Sequence, residues 1–196
     1  IMFLSNFLIK NSLSSSKSFI WNSHLKKLKK VENFKAINID ILIGIKRQKE
    51  TLLKNTISFA KGNFTNNALL WGSRGNGKSS LIKSIFYEVN KSYNNLKLIQ
   101  INKKDIFDIE IIYEILGKFT NYCFIIFLDD LSFEKIDSDY KIIKSTLDGS
   151  IQNQPNNILL YVTSNRRHLM PRDMIDNERS SAIHTDESVE EKISLS

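Results

Sequence analysis

The chain has 196 residues, of which 41% are hydrophobic and 25% charged, and its formal net charge is +7 at pH 7. This composition is ordinary for a globular domain and excludes a disordered chain. No apolar run approaches the roughly 18 residues that a membrane helix needs. The single cysteine excludes an intramolecular disulfide.

The positive charge suggests a nucleic-acid partner, but lysines are spread along the whole chain. Residues 1–36 are predicted to form an N-terminal helical accessory segment. Its Phe19 and Trp21 can cap a core or bind a partner, and core packing is favoured. The segment ends in a predicted basic helix, whose lysines form a solvated face or, alternatively, meet an anionic partner. These lysines are Lys26, Lys27, Lys29 and Lys30.

An apolar strip at residues 39–45 precedes a predicted helix that carries Leu52 and Ile57. Such a strip can pack the entering chain against the core. Alternatively, it can lie against adenine, with Gly44 allowing close backbone approach to the flat base. Periodicity alone favours core packing.

Residues 72–79 read Gly-Ser-Arg-Gly-Asn-Gly-Lys-Ser and fit the phosphate-binding loop pattern G-x-x-x-x-G-K-[ST]. An apolar strand is predicted before the loop, at 68–71, and an amphipathic helix after it, which is the context that this pattern requires. Lys78 then places a charge at the β- and γ-phosphates, and Ser79 offers a hydroxyl to magnesium. The predicted nucleotide-binding residues of this loop are Gly72, Ser73, Arg74, Gly75, Asn76, Gly77, Lys78, Ser79 and Ser80.

Strands are predicted at 96–101 and 123–128, with a helix at 105–117 between them, and this alternation implies a parallel sheet. Asp129 and Asp130 follow the second of these strands, at the sheet edge where open α/β sheets hold their ligands. This is a Walker B arrangement. Asp129 is predicted to hold magnesium, and Asp130 to orient or deprotonate the attacking water.

A second candidate for activating the water is Glu134. Farther along, a helix is predicted at 139–155 and a strand at 158–163. Asn165 comes just after that strand, where its amide can contact both the γ-phosphate and the attacking water. Together with the other two motifs, it completes an ATPase site in which Asp130, Lys78 and Asn165 are the catalytic candidates.

This order of motifs resembles that of the AAA+ ATPases, with Asn165 at the sensor 1 position. A closer resemblance is to an uncharacterised bacterial AAA+ family that is catalogued as a domain of unknown function, and it covers residues 19–196. The segments that carry this resemblance are 42–50, 67–72, 129–134, 147–150 and 163–171. The resemblance implies binding of ATP and Mg²⁺, an adenine pocket lined by Ile43, Gly44 and Ile45, and assembly into a homo-oligomer.

The resemblance also implies an Asp-Arg-Phe motif, a fifth strand and a helical lid after residues 190–196. We therefore expect the C-terminal strand and lid to be missing, which would leave the strand at 68–71 with an uncovered edge. The arginine finger is expected beyond residue 196. Arg166, Arg167, Arg172 and Arg179 are alternatives for it, although surface ion pairing is favoured for each.

The sequence thus predicts an α/β fold of the P-loop NTPase, AAA+ type, with a parallel sheet flanked by helices and a nucleotide-binding domain at residues 37–196. The predicted function is magnesium-dependent ATP hydrolysis that remodels or loads a macromolecular partner. A DNA-associated ATPase similar to helicase loaders and a P-loop phosphotransferase are the alternatives. The lone Cys123 and the nucleotide chemistry favour the cytoplasm, with no membrane partner.

Overall fold

The computed structural model describes residues 2–131, 154–165 and 193–194. The strands within these ranges are β1 (Ser18–Asn22), β2 (Lys27–Lys30), β3 (Ala68–Trp71), β4 (Leu96–Ile101), β5 (Cys123–Leu128), β6 (Ile158–Ser164) and β7 (Ile193–Ser194). They form one seven-stranded sheet in the order β2-β1-β4-β5-β6-β3-β7. All neighbouring strands pair in parallel except β1 and β2, which are antiparallel.

The α-helices of the described ranges are α1 (Met2–Ser15), α2 (Lys46–Ala60), α3 (Lys78–Asn90) and α4 (Ile109–Gly117). Short 3-10 helices lie at Ile39–Ile41 and Lys103–Asp108. Among the residues that the structure describes, no helix has the length and apolar character needed to cross a membrane.

The sheet separates two hydrophobic cores. The α4 core includes Leu13, Trp21, Ile112, Leu116, Phe124, Ile126 and Leu128. The α2–α3 core includes Leu52, Phe59, Leu81, Ile85, Phe86, Ile125, Phe127 and Tyr161. Successive side chains of a strand point to opposite faces, so a strand that is buried on both faces is apolar throughout. This explains why all six residues of β5 are buried.

The order of the strands determines where the site can form. β6 lies between β5 and β3, with Leu128 opposite Val162 and Trp71 opposite Ser164. Because these strands are parallel, the loops that follow them leave the sheet at the same edge. The phosphate-binding loop, the two aspartates and Asn165 therefore share that edge.

The predicted strands at 68–71, 96–101, 123–128 and 158–163 are confirmed, as are the helices around the phosphate-binding loop. The predicted helix at 105–117 begins instead as the 3-10 helix Lys103–Asp108 and becomes α-helical at Ile109. The helix predicted at 139–155 lies largely outside the described residues.

The prediction of a basic helix around Lys26 to Lys30 is wrong, because Lys27–Lys30 form β2. Leu28 packs against the α4 core while the lysines of the strand stay exposed, and pairing with β1 supplies the backbone hydrogen bonds. β1 in turn pairs with β4, which ties residues 18–30 into the main sheet. Phe19 and Trp21 are buried, so their core packing is confirmed. The domain boundary at residue 36 stays a prediction.

The outer edge of β3 also differs from the expectation. Leu70 pairs with Ile193 and Trp71 pairs with Ser194, so β7 covers the last two residues of β3. The part of β3 that leads into the phosphate-binding loop is therefore hydrogen-bonded on both sides.

A buried phenol connects α2 to the centre of the sheet. Tyr161 of β6 is fully buried, and its hydroxyl lies 2.8 Å from Thr56 Oγ1 and accepts a 3.1 Å hydrogen bond from Asn55 Nδ2. Burial raises the pKa of Tyr161 to about 12, so this phenol stays neutral at ordinary pH. The contact fixes α2 against β6, the strand that Asn165 follows.

Replacing Tyr161 with Phe is expected to lower the free energy of unfolding by about 1 kcal/mol, the typical net value of a neutral hydrogen bond. The loss stays small because Thr56 keeps its bond to the Leu52 carbonyl and Asn55 keeps its bond to the Asn66 carbonyl. Urea unfolding at pH 7 measures the change. The control is Tyr87→Phe at a partly exposed tyrosine, for which a change below about 0.5 kcal/mol is expected. Equal effects of the two variants would contradict the assigned role.

Candidate active site

The phosphate-binding loop contains three glycines with positive φ angles. Gly75 and Gly77 have φ angles of 86° and 75°, in the left-handed region that disfavours side chains. Gly77 is also the N-cap of α3, so the positive end of that helix faces the loop. A Cβ atom at Gly77 would lie 3.3 Å from Leu42 Cδ2, which places the apolar strip beside the loop.

Lys78 is the first residue of α3 and is only 7% exposed. Its ammonium group donates to the carbonyls of Gly72 at 2.9 Å and Ser73 at 2.8 Å, and to Asn165 Oδ1 at 3.0 Å. Burial lowers the pKa of Lys78, whereas the negative charges of Asp130 and Asp129 oppose that change. The lysine charge is thus held between the loop and the end of β6.

The next residue, Ser79, donates a hydrogen bond to Asp129 Oδ1. The same carboxylate oxygen accepts a second hydrogen bond, of 2.7 Å, from Thr163 Oγ1. A serine hydroxyl and a carboxylate that meet in this way provide hard oxygen ligands, which are those that magnesium prefers. The residues present therefore fit a magnesium ion held from Ser79 and Asp129.

Asp130 lies at the solvent-exposed side of the site. Its φ angle is 54°, which is unusual for a residue other than glycine. Its side chain accepts a hydrogen bond from Asn165 Nδ2, while its backbone N–H donates to Thr163 Oγ1 at 2.8 Å. The carboxylate is therefore directed toward Asn165 and open to water.

Asn165 joins the lysine to the aspartate. Its carbonyl oxygen accepts from Lys78 and its amide nitrogen donates to Asp130. An amide oxygen accepts hydrogen bonds and an amide nitrogen donates them, so both contacts suit the side chain of asparagine. The structure thus brings the three catalytic candidates into one connected group, and Asp129 and Ser79 lie next to it.

The residues predicted to contact adenine are placed differently from one another. Ile43 is 88% exposed, Gly44 has a φ of 83°, and Ile45 packs against the α2–α3 core. Core packing thus explains Ile45 but not Ile43. Their contact with adenine stays a prediction.

The remaining loop residues Ser73, Arg74, Gly75 and Asn76 are exposed, and Ser80 is half-buried in the first turn of α3. Glu134, Arg166, Arg167, Arg172 and Arg179 lie outside the described residues.

The sequence did not single out Thr163 as a site residue, although the structure places its hydroxyl between both aspartates. The sequence feature that could have identified Thr163 is a hydroxyl side chain near the end of a largely apolar strand.

The sheet order and the three loops at one edge define a P-loop ATPase fold of the AAA+ class. Within that class, the chain belongs to the family described as "Protein of unknown function (DUF815)", whose model matches residues 14–196. The comparison with curated proteins gave no match.

Several solved structures are similar in fold. Trip13 from Rhizobiales is 14% identical with a TM-score of 0.50, over 69% of this chain and 59% of that chain. The HORMA:CdnC:Trip13 complex from E. coli MS115-1 contains a chain 11% identical with a TM-score of 0.51, over 73% and 64%. PCH-2 from C. elegans is 19% identical with a TM-score of 0.48, over 69% and 42%. In each case the chain spans less than two thirds of the relative's length.

Gly75→Ala and Gly77→Ala are each expected to lower the free energy of unfolding by about 1–2 kcal/mol, the cost of a left-handed conformation for an L-residue. Gly77→Ala should cost more, because its Cβ also displaces Leu42, whereas the space around Gly75 is open. Urea unfolding measures both variants. The control is Arg74→Ala at an exposed residue of the same loop, with an expected change below about 0.5 kcal/mol. A glycine variant as stable as this control would show that the loop tolerates a side chain there.

Proposed function

We propose that this protein binds ATP with magnesium, hydrolyses it, and uses the energy to remodel or load a macromolecular partner. The observation that carries the proposal is the contact chain from Lys78 through Asn165 to Asp130, beside the pair Ser79 and Asp129. It supplies a phosphate-binding cation, oxygen ligands for a metal and a carboxylate for water in one place. These are the parts that phosphoryl transfer to water requires.

In the proposed reaction, the loop holds the β- and γ-phosphates. Backbone N–H groups around Gly75 and Gly77 converge on the phosphate oxygens, and the N-terminus of α3 adds its partial positive charge. The Lys78 ammonium group is held in place by the carbonyls of Gly72 and Ser73. It therefore provides a fixed charge beside the γ-phosphate.

Ser79 and Asp129 would hold the magnesium ion, which supplies positive charge to the phosphate oxygens when bound. Asp130 orients the attacking water and accepts its proton. Asn165 fixes the Asp130 carboxylate through its Nδ2 and touches Lys78 through its Oδ1. This amide therefore aligns the water-activating group with the γ-phosphate.

The partner and the assembly belong to the same proposal. Trip13 occurs in a solved complex with HORMA and CdnC, so a protein of this fold can assemble with other proteins. We extend this to the present chain as a remodelling or loading ATPase that works as a homo-oligomer. A neighbouring subunit would supply an arginine to the γ-phosphate, as the resemblance to AAA+ proteins implies.

Lys78→Ala is expected to weaken ATP binding by about 10- to 100-fold, the value of a lost charge-assisted hydrogen bond. Asp130→Asn should retain ATP affinity but slow turnover by about 10²- to 10⁴-fold, because the amide cannot accept the proton. Titration with a fluorescent ATP analogue and measurement of phosphate release separate the two effects.

Glu134→Gln is the matched control, because it makes the same carboxylate-to-amide change at the second candidate. It should hydrolyse ATP at nearly the unmodified rate. Full activity in Asp130→Asn together with loss in Glu134→Gln would transfer the water-activating role to Glu134. Phosphate transfer to an acceptor, in place of release to water, would support a phosphotransferase.

If a neighbouring subunit completes the site, the ATPase rate per subunit should rise with protein concentration. Supplying the arginine in trans is worth about 10³- to 10⁵-fold in related NTPases. The test is phosphate release across a concentration series, for the unmodified protein and for separate alanine variants of Arg166, Arg167, Arg172 and Arg179. A rate independent of concentration would show that none of these four arginines completes a neighbouring site. Loss of the concentration effect in a single variant would identify the contributing arginine.

A further inference from the structure

Thr163 makes more contacts with the acidic turn after β5 than any role in strand pairing requires. Its hydroxyl accepts a 2.8 Å hydrogen bond from the Asp130 N–H and donates a 2.7 Å hydrogen bond to Asp129 Oδ1. Its backbone carbonyl accepts a 2.7 Å hydrogen bond from the Leu131 N–H. One residue of β6 thus contacts all three residues of the turn.

These contacts come from a fixed position in the sheet. Val162 lies opposite Leu128, the last residue of β5, so Thr163 stands one residue beyond the β5–β6 ladder, level with the start of the turn. Thr163 is 1% exposed and Leu131 is fully buried. The anchor points of the turn are therefore buried, whereas the Asp130 side chain between them reaches solvent.

The turn needs such support because Asp130 adopts φ 54°. A left-handed conformation costs an L-residue about 1–2 kcal/mol and persists where neighbouring contacts enforce it. Two consecutive N–H groups, those of Asp130 and Leu131, are bound by Thr163. This pairing fixes the peptide plane from which the Asp130 carboxylate extends toward Asn165.

The chemistry of the contact is specific to a hydroxyl. The group must accept one hydrogen bond and donate another at the same time, and its only proton goes to Asp129. Threonine and serine can do both, whereas valine has nearly the same shape and can do neither. A valine would leave the Asp130 N–H without its partner and remove one of the two donors to Asp129 Oδ1.

We propose that Thr163 is a positioning residue for ATP hydrolysis, whose hydroxyl holds Asp129 in place as a metal ligand and Asp130 in place as the water-activating carboxylate. The proposal rests on the ATPase function proposed above. Thr163 is buried, and its hydroxyl contacts the two aspartates. Its removal therefore affects the metal and the rate, and leaves the contacts of the phosphate-binding loop intact.

The experiment compares Thr163→Val with Thr163→Ser in the purified protein. For Thr163→Val we expect turnover to fall by about 10- to 100-fold, the usual effect of losing a residue that orients a metal ligand. The magnesium concentration for half-maximal rate should rise, while the affinity for a fluorescent ATP analogue without magnesium should stay within about twofold, since Lys78 and the loop are unchanged. Thr163→Ser should restore both the rate and the magnesium dependence.

Thr56→Val is the matched control. Thr56 is also a fully buried threonine whose hydroxyl contacts both a carbonyl and a side chain, but it lies in α2 and bonds to Leu52 and Tyr161. It should lower the melting temperature without changing the magnesium dependence or the turnover. A Thr163→Val variant that behaves like Thr56→Val, with lower stability alone, would overturn the positioning role.

A readout on the unmodified protein guards against a Thr163→Val variant that does not fold. Hydrogen exchange followed by NMR should find the Asp130 amide protected, although its side chain is exposed. Exchange at the rate of a free amide would overturn the proposal.

If the unmodified protein hydrolyses ATP and Thr163→Val hydrolyses it at the same rate, only the positioning role fails. If the unmodified protein neither binds nor hydrolyses ATP, the proposed function fails, and the role of Thr163 fails with it.

Discussion

The parallel pairing of β6 with both β5 and β3 is the constraint on which the site depends. It places the carboxyl ends of three strands at one edge of the sheet, and its register determines how far each strand extends relative to its neighbours. The phosphate-binding loop, the acidic turn and Asn165 leave the sheet side by side as a result. The hydrogen bonds among their side chains then act over short distances, because the backbone positions are already fixed by the ladder.

Asn165 shows why an amide suits the point where these segments meet. A carboxylate there could bind Lys78 but would repel Asp130, and an ammonium group would do the reverse. The amide offers an acceptor to the lysine and a donor to the aspartate at the same time. The two opposite charges are thus held on either side of one amide without contacting each other directly.

Much of the fold and site could be predicted from the sequence, because the decisive signals are local. The glycines and Lys78 identify the phosphate-binding loop, and the apolar run before Asp129 identifies a buried strand. β2 was mispredicted because the pattern of Lys27–Lys30 has no strong period, and its pairing partner β1 determines its conformation. Thr163 was missed because its contacts depend on the register between β5 and β6, which no local pattern contains.

The lysines of β2 have a consequence for the behaviour of the protein at high concentration. Among the strands that the structure describes, β2 ends the strand order, and three of its four residues are lysines whose side chains face solvent. The terminal strand of a sheet can template the addition of another chain, and a row of like charges opposes that process by electrostatic repulsion. A second copy of the protein that approached the β2 edge would bring its own β2 lysines against those of the first copy. Edge-to-edge aggregation in a crowded solution is thereby disfavoured on the side of the sheet farthest from β7.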